Sequence, residues 1–435
     1  MIAVNIGKTF LKAYNEKHNK AYSAKELFVE IYYELFYNHP KYMMTGGNSP
    51  LENPKISWDS MRGGKIPYET EEKRHTRFDA FIKKASNTKA DASIAIGFPS
   101  LDMTATTSGQ LTNLELPFNE NDVYLSWIGS GLGIGIQGAL SILFDNPQLL
   151  LDIFDGWAIY RDYLNRTPQL RGNQINTWNG QWIAHRYNPR LYDEQDPTAQ
   201  FNGISSSKDG GLEVTTQSWT AVMIGICRTF PDSQLTGYVY NLGQTNITIG
   251  FIPFRLPQIK RPIDLYEKYF GTSKRAEAEQ LFGTAFGFTK ACQMGSIGVN
   301  AMEPKGLRDF IEKGKIPIYN EQDEEKKLNF HTYQIWLLAM LNNEQLWENA
   351  KQFATSLNQH ALSSEKGKKD KANQVKAVLS SISQKQFLDN LTTIVEDNSA
   401  ETNYEEMARL IHMMPKDNVP YFLTLIRFHF AIISN

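Results

Sequence analysis

The chain has few of the residues and motifs that would assign it a chemistry. Its only cysteines, Cys227 and Cys292, are too few for a four-thiolate zinc site and fit a reducing compartment. Both lie in apolar stretches, which favours buried thiols over a disulfide. The sequence has no HExxH helix, Walker loop, EF-hand loop or GxSxG elbow, and no two of its eight histidines stand at ligand spacing. We therefore expect no catalytic residue, no metal and no cofactor.

A strong net charge and a membrane-length apolar run are also missing. The 45 lysines and arginines nearly balance 47 aspartates and glutamates, so the formal net charge is −2 and no whole-molecule field draws the chain onto nucleic acid. Of the two longest apolar stretches, 127–144 holds five glycines and 419–433 carries Arg427 and His429. The N-terminus lacks a signal-peptide core. These features predict a cytoplasmic protein with no membrane partner.

What is present divides into two unlike parts. Residues 1–300 are rich in glycine, asparagine and aromatics on strand-and-loop patterns, whereas in residues 328–435 apolar positions recur at helical spacing in four or five segments. Short connections make neighbouring helices antiparallel, which is typical of a bundle. We predict an α+β fold: an irregular mixed body with antiparallel strands over 1–300, a linker over 301–327, and a C-terminal helical bundle, small-subunit-like, over 328–435.

The first part contains several local signals. Ser23 and Glu26 form a capping box at the start of a predicted helix, and Asn146 followed by Pro147 is typical of another helix start. The proline cluster at 251–262 indicates a boundary. Helices are predicted over 5–17, 24–37, 71–84 and 147–165, and strands over 92–97, 123–128, 214–227, 237–241 and 245–254.

One segment formally matches a dinucleotide-binding pattern. Gly133, Gly135 and Gly138 have the GxGxxG spacing and follow a strand-like run. Such a site needs the turn to open a βαβ unit with a carboxylate at the end of the next strand, but Asp152 and Asp155 lie in a predicted helix. We favour the interpretation that these glycines let a helix pack closely against a sheet. Nucleotide binding stays open as an alternative.

Three loops carry groups suited to nucleic acid. The stretches GGNS at 46–49 and RGGK at 62–65 place an amide and two cations on flexible turns, which can reach base edges or phosphates. In QINTWNGQWIAHRY, 174–187, Asn179 followed by Gly180 predicts a β-hairpin whose tip could wedge a base step. For each loop the alternative is a turn whose asparagine satisfies its own backbone. The candidate motif-reading or wedging residues are Asn48, Arg62, Lys65, Asn179 and Gln181.

A lysine-rich segment, EKGKKDK at 365–371, is the clearest local basic patch. It lies between two predicted helices of the bundle, where lysines could hold the phosphates of a single strand without reading its sequence. A solvated loop is the alternative. The candidate strand-binding residues are Lys366, Lys368, Lys369 and Lys371.

With these loops followed by a helical bundle, the chain resembles the large subunit of a type I CRISPR surveillance complex (Cascade), most like the type I-B branch. The stretch NHPKYMMTGGNSPLENPKISW, 38–58, is the most family-like motif. The resemblance is architectural and covers most of the chain, although the cysteine zinc pair of some branches is missing. It implies a subunit without catalytic activity in antiviral defence, assembled with the other Cascade subunits and CRISPR guide RNA.

The resemblance also implies a division of labour. The N-terminal body would recognise the protospacer-adjacent motif in target double-stranded DNA and help open the duplex, while base pairing with the guide reads the remaining sequence in the R-loop. The bundle would hold the displaced strand, help recruit a separate helicase–nuclease, and could also be made as a free small subunit by internal translation from Met294 or Met302. Competing hypotheses are a cytosolic nucleotide-binding enzyme using residues 133–138 and an interaction scaffold.

Overall fold

A computed structural model describes residues 1–46, 49–52, 57–87, 94–98, 119–208, 210–242, 248–363, 368–397 and 402–435. The protein is α+β, as predicted, with a small antiparallel sheet in the middle of the chain and helices at its C-terminal end. It divides into two compact units, Met1–Leu256 (unit 1) and Pro257–Asn435 (unit 2). The division falls within the proline cluster at 251–262 and earlier than the boundary predicted at residue 300.

Unit 1 mixes helices with two antiparallel sheets. Its helices are α1 Ile2–His18, α2 Ala24–Leu27, a π-helix Phe28–Tyr33, α3 Glu34–Phe36, α4 Trp58–Arg62, α5 Glu71–Asn87, α6 Glu120–Gly131, α7 Pro147–Arg166, α8 Ile175–Arg186 and α9 Trp219–Thr229. Its strands are β1 Ile134–Ile136, β2 Leu140–Phe144, β3 Ile204–Ser206, β4 Leu212–Val214, β5 Gln234–Asn241 and β6 Thr248–Arg255.

Unit 2 contains helices joined by turns and no named strand among its described residues. After α10 Leu256–Phe270, which begins at the last residue of unit 1, come α11 Arg275–Leu281, α12 Phe288–Cys292, a 3-10 helix Val299–Met302, α13 Arg308–Lys313, α14 Glu324–Leu341, α15 Gln345–Leu362, α16 Lys368–Leu379, α17 Gln384–Asp397, α18 Thr402–Met413 and α19 Val419–Ile433. In the part of the chain that the structure describes, no helix has the length and apolarity to cross a membrane.

Local signals located several helices correctly. The capping box is present, because the Ser23 hydroxyl accepts from the Glu26 amide at 3.2 Å and the Glu26 carboxylate accepts from the Ser23 amide at 2.7 Å. The Asn146 side chain accepts from the Leu149 amide at the start of α7. Helices α1 and α5 match the predictions over 5–17 and 71–84, and the predicted 24–37 helix contains a π-helical stretch. Local capping chemistry therefore sets these boundaries.

The main sheet has strand order β1-β2-β5-β6 and is antiparallel throughout. Strands β5 and β6 confirm the strands predicted over 237–241 and 245–254. The strands predicted over 123–128 and 214–227 are wrong, because these stretches form most of α6 and α9, apart from the short strand β4. Both helices are buried over most of their surface, so their apolar residues form runs that resemble a buried strand. Of the strand predicted over 92–97, residues 94–97 form turns.

The predicted hairpin is also wrong. Residues Ile175–Arg186 form helix α8, and Asn179 and Gly180 lie in its middle. A side chain at Gly180 would approach the Gly135 carbonyl oxygen of β1 to 2.0 Å, and one at Gly135 would meet the backbone of Asn176 at 2.7 Å. The glycines therefore serve close packing of α8 on β1. Tertiary packing here overrides a turn signal that is strong only when strands flank it.

The bundle predicted over 328–435 corresponds to helices α14 to α19. Helices α14, α15 and α16 pack on α19, whereas α17 packs on α16 and α18, and α18 also packs on α15. Phe428 of α19 contacts Phe330 of α14 with ring centroids 4.6 Å apart. The predicted linker over 301–327 contains α13 and buried Leu307 and Ile311, so much of it is packed into unit 2. Unit 2 also includes α10 to α12, which were predicted as part of the N-terminal body.

Candidate nucleic-acid interface

The RGGK loop begins where the short helix α4 ends. The Gly63 amide donates to the Asp59 carbonyl at 2.9 Å, and the Lys65 amide donates to the Ser60 carbonyl at 2.8 Å. Gly64 between them has φ +71°, a left-handed conformation that glycine adopts without strain. The helix therefore stops sharply, and Lys65 follows on an exposed turn.

The two cations of this loop have different environments. Lys65 is exposed, and its ammonium group contacts no acceptor among the residues that the structure describes. The Arg62 side chain is largely buried and donates to Asp59 Oδ1 at 3.2 Å. It also lies against Gly211, where a side chain would come within 2.9 Å of the guanidinium carbon. Lys65 is therefore free to meet a ligand, whereas Arg62 is held in place.

A second segment, residues 170–172, lies beside α4. The Arg171 amide donates to the Leu212 carbonyl at 2.8 Å, and the Asn173 amide donates to the Tyr42 carbonyl at 2.8 Å. A side chain at Gly172 would approach the same Tyr42 oxygen to 2.6 Å. Together the two segments line a small cleft. Its lining residues are Lys41, Trp58, Asp59, Arg62, Tyr68, Leu170, Arg171 and Gly172.

The cleft carries three cations against one carboxylate. Lys41 is buried, and its ammonium donates to the carbonyls of Leu164 and Thr167 at 3.1 and 2.6 Å, at the C-terminal end of α7. Burial, with the nearby charges of Arg161 and Arg62, lowers the pKa of Lys41 to about 8. The mutual repulsion of these cations makes the cleft electrostatically suited to an anion.

The far end of the RGGK loop is anchored by Glu69. Its carboxylate accepts from the Tyr42 hydroxyl at 2.9 Å and from the Arg77 guanidinium at 2.6 and 2.8 Å. Burial favours the neutral acid, but hydrogen bonds from Arg77 and Tyr42 outweigh it and lower the pKa of Glu69. Between this anchor and α4 the loop spans only a few residues, so the position of Lys65 is constrained.

The other candidate motif-reading residues are placed differently. Asn48 lies outside the described residues. Asn179 is fully buried, and its amide donates to the carbonyls of Gly131 and Gly133 at 2.8 and 2.9 Å. Gln181 is buried too and donates to the Thr215 carbonyl and hydroxyl. Both amides hold backbone together inside unit 1, so the exposed wedge predicted at this position is wrong.

The lysine-rich segment is described in part. Lys366 lies outside the described residues, and Lys368 and Lys369 are the first two residues of α16. Lys371 donates from Nζ to the Ser363 hydroxyl at 2.9 Å, next to the end of α15. Lysines at a helix N-terminus add to the positive end of the helix dipole, which concentrates positive potential there.

The glycine-rich segment at 133–138 forms a β-hairpin. Ile134 pairs with Ile142 and Ile136 with Leu140 in antiparallel register, and Gly138 lies in the turn with φ +90°. A dinucleotide site needs a strand that turns directly into a helix whose N-terminus meets the phosphates. Here the strand turns into a second strand. The close-packing interpretation is confirmed for Gly135, which lies against the backbone of α8, whereas Gly138 serves the turn.

Sequence reasoning missed part of the cleft. Lys41, Tyr68 and Arg171 were not singled out, because they lie far apart along the chain and only folding brings them to one place. Arg171 followed by Gly172 repeats the arginine–glycine pair of Arg62 and Gly63, and this recurrence was the available signal. Within the described ranges, no group of three or more histidine, cysteine or acidic side chains could hold a metal ion.

Comparisons with known proteins return no match: no family model, no curated protein and no solved structure matches this chain.

Proposed function

We propose that this chain is the non-catalytic large subunit of an RNA-guided antiviral surveillance complex of the type I Cascade kind. In this proposal unit 1 recognises a short motif in double-stranded DNA and helps to open the duplex. Unit 2 holds the displaced strand and helps to recruit a separate helicase–nuclease. The proposal rests on the resemblance of the sequence, and one feature of the fold supports it.

That feature is the cleft beside α4. A chain with a formal net charge of −2 gathers Lys41, Arg62 and Arg171 around one small surface and leaves Lys65 exposed beside α4. Arginine and lysine side chains on loops are the groups that read guanine edges and hold phosphates. Lys65 would contact the DNA, while Arg62, which is bonded to Asp59, would position the loop.

The first test of the proposal is which RNA and proteins co-purify with the chain. Purified from its native cells, the tagged protein should bring with it RNA that contains spacer sequences, together with the other subunits. Absence of such RNA would contradict the proposal and favour the interaction scaffold. The hairpin at residues 133–138 does not support the nucleotide-binding enzyme, because a dinucleotide site needs a strand that turns into a helix.

A sharper test concerns Lys65. In the assembled complex, Lys65→Ala should weaken binding to motif-bearing duplex by roughly 1–3 kcal/mol and reduce discrimination between motif variants. Lys12, an exposed lysine of α1, gives a matched control whose replacement by alanine should change nothing. The readout is a gel shift at fixed salt on a duplex library randomised beside the target. Equal motif enrichment by wild-type and Lys65→Ala complexes would dismiss this residue.

The four lysines of the segment 365–371 have a separate signature. Alanine at Lys366, Lys368, Lys369 and Lys371 should lower affinity for single strands of any sequence. It should also flatten the log–log dependence of affinity on salt by about 0.7 per lost phosphate contact. An unchanged slope would mean that this segment is only a solvated connection.

A further inference from the structure

Strands β5 and β6 of the main sheet expose a face that carries aromatic residues and an arginine. In β5 and β6, Val239, Ile252 and Phe254 point to the buried side, and alternation turns the residues between them outward. The outward residues are Gln234, Thr236 and Tyr238 on β5, and Phe251, Pro253 and Arg255 on β6. This surface is called the aromatic face. Helix α8 packs on β1, at the other end of the sheet, and does not cover the aromatic face.

Two rings lie side by side at its centre. Tyr238 and Phe251 are direct cross-strand partners, and their ring centroids are 5.3 Å apart with an interplanar angle of 56°. Phe251 is 64% exposed, which makes it the only exposed phenylalanine in the parts of the chain that are described. A regular strand could carry a polar residue there at no cost to the fold. Phe251, packed beside the half-buried Tyr238, is therefore a candidate contact surface.

The charge of the face indicates what it contacts. Arg255 is exposed and forms no ion pair within the described residues, and none of the six residues of the face is acidic. Arg255 lies four residues from Phe251 on the same strand, roughly 13 Å away. Rings flanked by an unpaired cation and by amide and hydroxyl groups complement a ligand with alternating flat bases and phosphates.

The edge of the sheet is less suited to binding than its face. Strand β6 is an edge strand, where an extended peptide or a second copy of the chain could add by backbone pairing. Pro253 in the middle of β6 has no amide hydrogen, and the irregularity near Gly250 interrupts the strand further. Binding through side chains on the face is therefore favoured over strand addition.

We propose that the aromatic face binds single-stranded nucleic acid, with a base stacked on Phe251 and Tyr238 and a phosphate held by Arg255. The inference goes beyond the proposed function, in which the displaced strand lies on the lysines of α16. It does not depend on it, because the aromatic face lies in unit 1 and is defined by its own residues. DNA and RNA offer the same bases and phosphates, so either could be the natural ligand.

The experiment measures fluorescence anisotropy of labelled oligo(dT) and oligo(rU) with the full-length protein at low salt. Phe251→Val removes the ring and keeps a residue that favours strands, and it should lower affinity about 5- to 150-fold, the loss of one stacked base. Phe251→Trp should restore binding. Arg255→Gln should flatten the log–log salt dependence by about 0.7.

Ile318→Ala serves as the matched control, because Ile318 is 91% exposed and lies in unit 2. The affinity of this variant for both oligonucleotides should equal that of wild type. Thermal unfolding of each variant checks that the fold is retained. A larger loss for oligo(dT) would indicate displaced DNA, and a larger loss for oligo(rU) would indicate RNA. No binding by wild type, or equal affinity of Phe251→Val and wild type for both oligonucleotides, would overturn the proposal.

Discussion

In each unit a buried arginine donates to backbone carbonyls, with no carboxylate partner among the described residues, and the two arginines differ in what they join. In unit 1, Arg161 of α7 donates to the carbonyl of Leu35 at 2.5 and 2.8 Å and to that of Lys41 at 2.9 Å. It ties the end of α3 and the following loop to α7. This loop leads into the segment that forms the cleft, so Arg161 helps to position the candidate interface.

In unit 2, Arg427 of α19 has more partners. It donates to the carbonyls of Leu379, Ser381 and Phe310 at 3.0–3.2 Å and to the Thr424 hydroxyl at 2.6 Å. Leu379 is the last residue of α16, so the guanidinium meets the negative end of a helix dipole. Arg427 thereby joins three helices at the centre of the bundle.

The comparison shows that carbonyl oxygens at helix ends can solvate a buried cation where acids are absent. Burial still has a cost, and it lowers the pKa of Arg161 to about 9 and that of Arg427 to about 10. In unit 1 the arrangement fixes a loop beside a surface cleft, whereas in unit 2 it fixes only the packing of helices. Four predictions compare the stability of the two units, from the largest expected effect to the smallest.

The first prediction concerns the extent of unit 2. A fragment Pro257–Asn435 should unfold cooperatively, whereas a fragment of residues 302–435 lacks Tyr269 and Phe270, whose rings lie 4.5 Å from Trp347 and 3.8 Å from His331. Each lost aromatic contact should remove about 0.5–1.5 kcal/mol of stability, in addition to the apolar burial that is lost with α10 to α12. Urea unfolding followed by circular dichroism measures both. Equal midpoints would mean that α10 to α12 do not belong to this core.

The second prediction compares the two arginines. Arg427→Ala leaves four acceptors without a donor and should lower the unfolding free energy of unit 2 by about 3–5 kcal/mol. Arg161→Ala leaves two carbonyls and should cost unit 1 about 2–4 kcal/mol. Six of the eight tryptophans lie in unit 1, so tryptophan fluorescence follows mainly that unit and circular dichroism follows both.

Exposed arginines of each unit provide the controls. Arg166→Ala in unit 1 and Arg409→Ala in unit 2 remove the same charge from the surface, and each should change stability by less than about 0.5 kcal/mol. Similar losses for a buried arginine and its control would show that the carbonyl contacts contribute nothing.

The third prediction concerns acid. His429 in unit 2 is 4% exposed, and burial, with a contribution from Lys351, lowers its pKa from 6.5 to about 3. Between these values the unfolded chain binds more protons than the folded chain, so stability falls as pH drops below about 6.5. At pH 5 the loss should be about 2 kcal/mol relative to pH 8.

His429→Phe keeps a ring against Trp347, where the two rings now meet edge to face at 4.5 Å, and removes the titration. Unit 2 of the His429→Phe protein should lose less unfolding free energy between pH 8 and pH 5 than unit 2 of wild type does. Urea unfolding at pH 8 and at pH 5 measures this loss. An identical pH dependence in variant and wild type would exclude His429 as the source.

The fourth prediction concerns helix caps, whose removal should have the smallest effect on stability, and a similar one in the two units. Ser23 caps α2 in unit 1, and Asp323 caps α14 in unit 2 by accepting from the Lys326 amide at 3.1 Å. Alanine at either position should cost about 1 kcal/mol. For units of this size that lowers the thermal midpoint by roughly 2–4 °C in calorimetry. A markedly larger loss at Ser23 would show that α2 depends on its cap more than on packing.

The units also differ in how much of them the sequence predicts. The helical bundle over 328–435 was predicted, as four or five segments where the structure has six helices, because surface helices alternate apolar and polar faces at a period of 3.6 residues. In unit 1 the same reasoning failed at α6, α8 and α9, because helices buried on nearly all sides show no such alternation. The candidate site was predicted only in part. Lys65 lies on an exposed turn as predicted, but Arg62 ends α4 with a largely buried side chain, and Asn179 and Gln181 are buried.

By itself the sequence determined the α+β class, the caps of α2 and α7, the pair of strands β5 and β6, and the exposed RGGK turn. Each of these depends on neighbouring residues, whose capping groups, glycines and alternation act over a few positions. Only the tertiary structure decided that residues 175–186 form a helix and that Lys41, Arg62 and Arg171 share a cleft. These outcomes depend on contacts between residues far apart along the chain, such as Asn179 with Gly131 and Arg62 with Arg171, which no local pattern records.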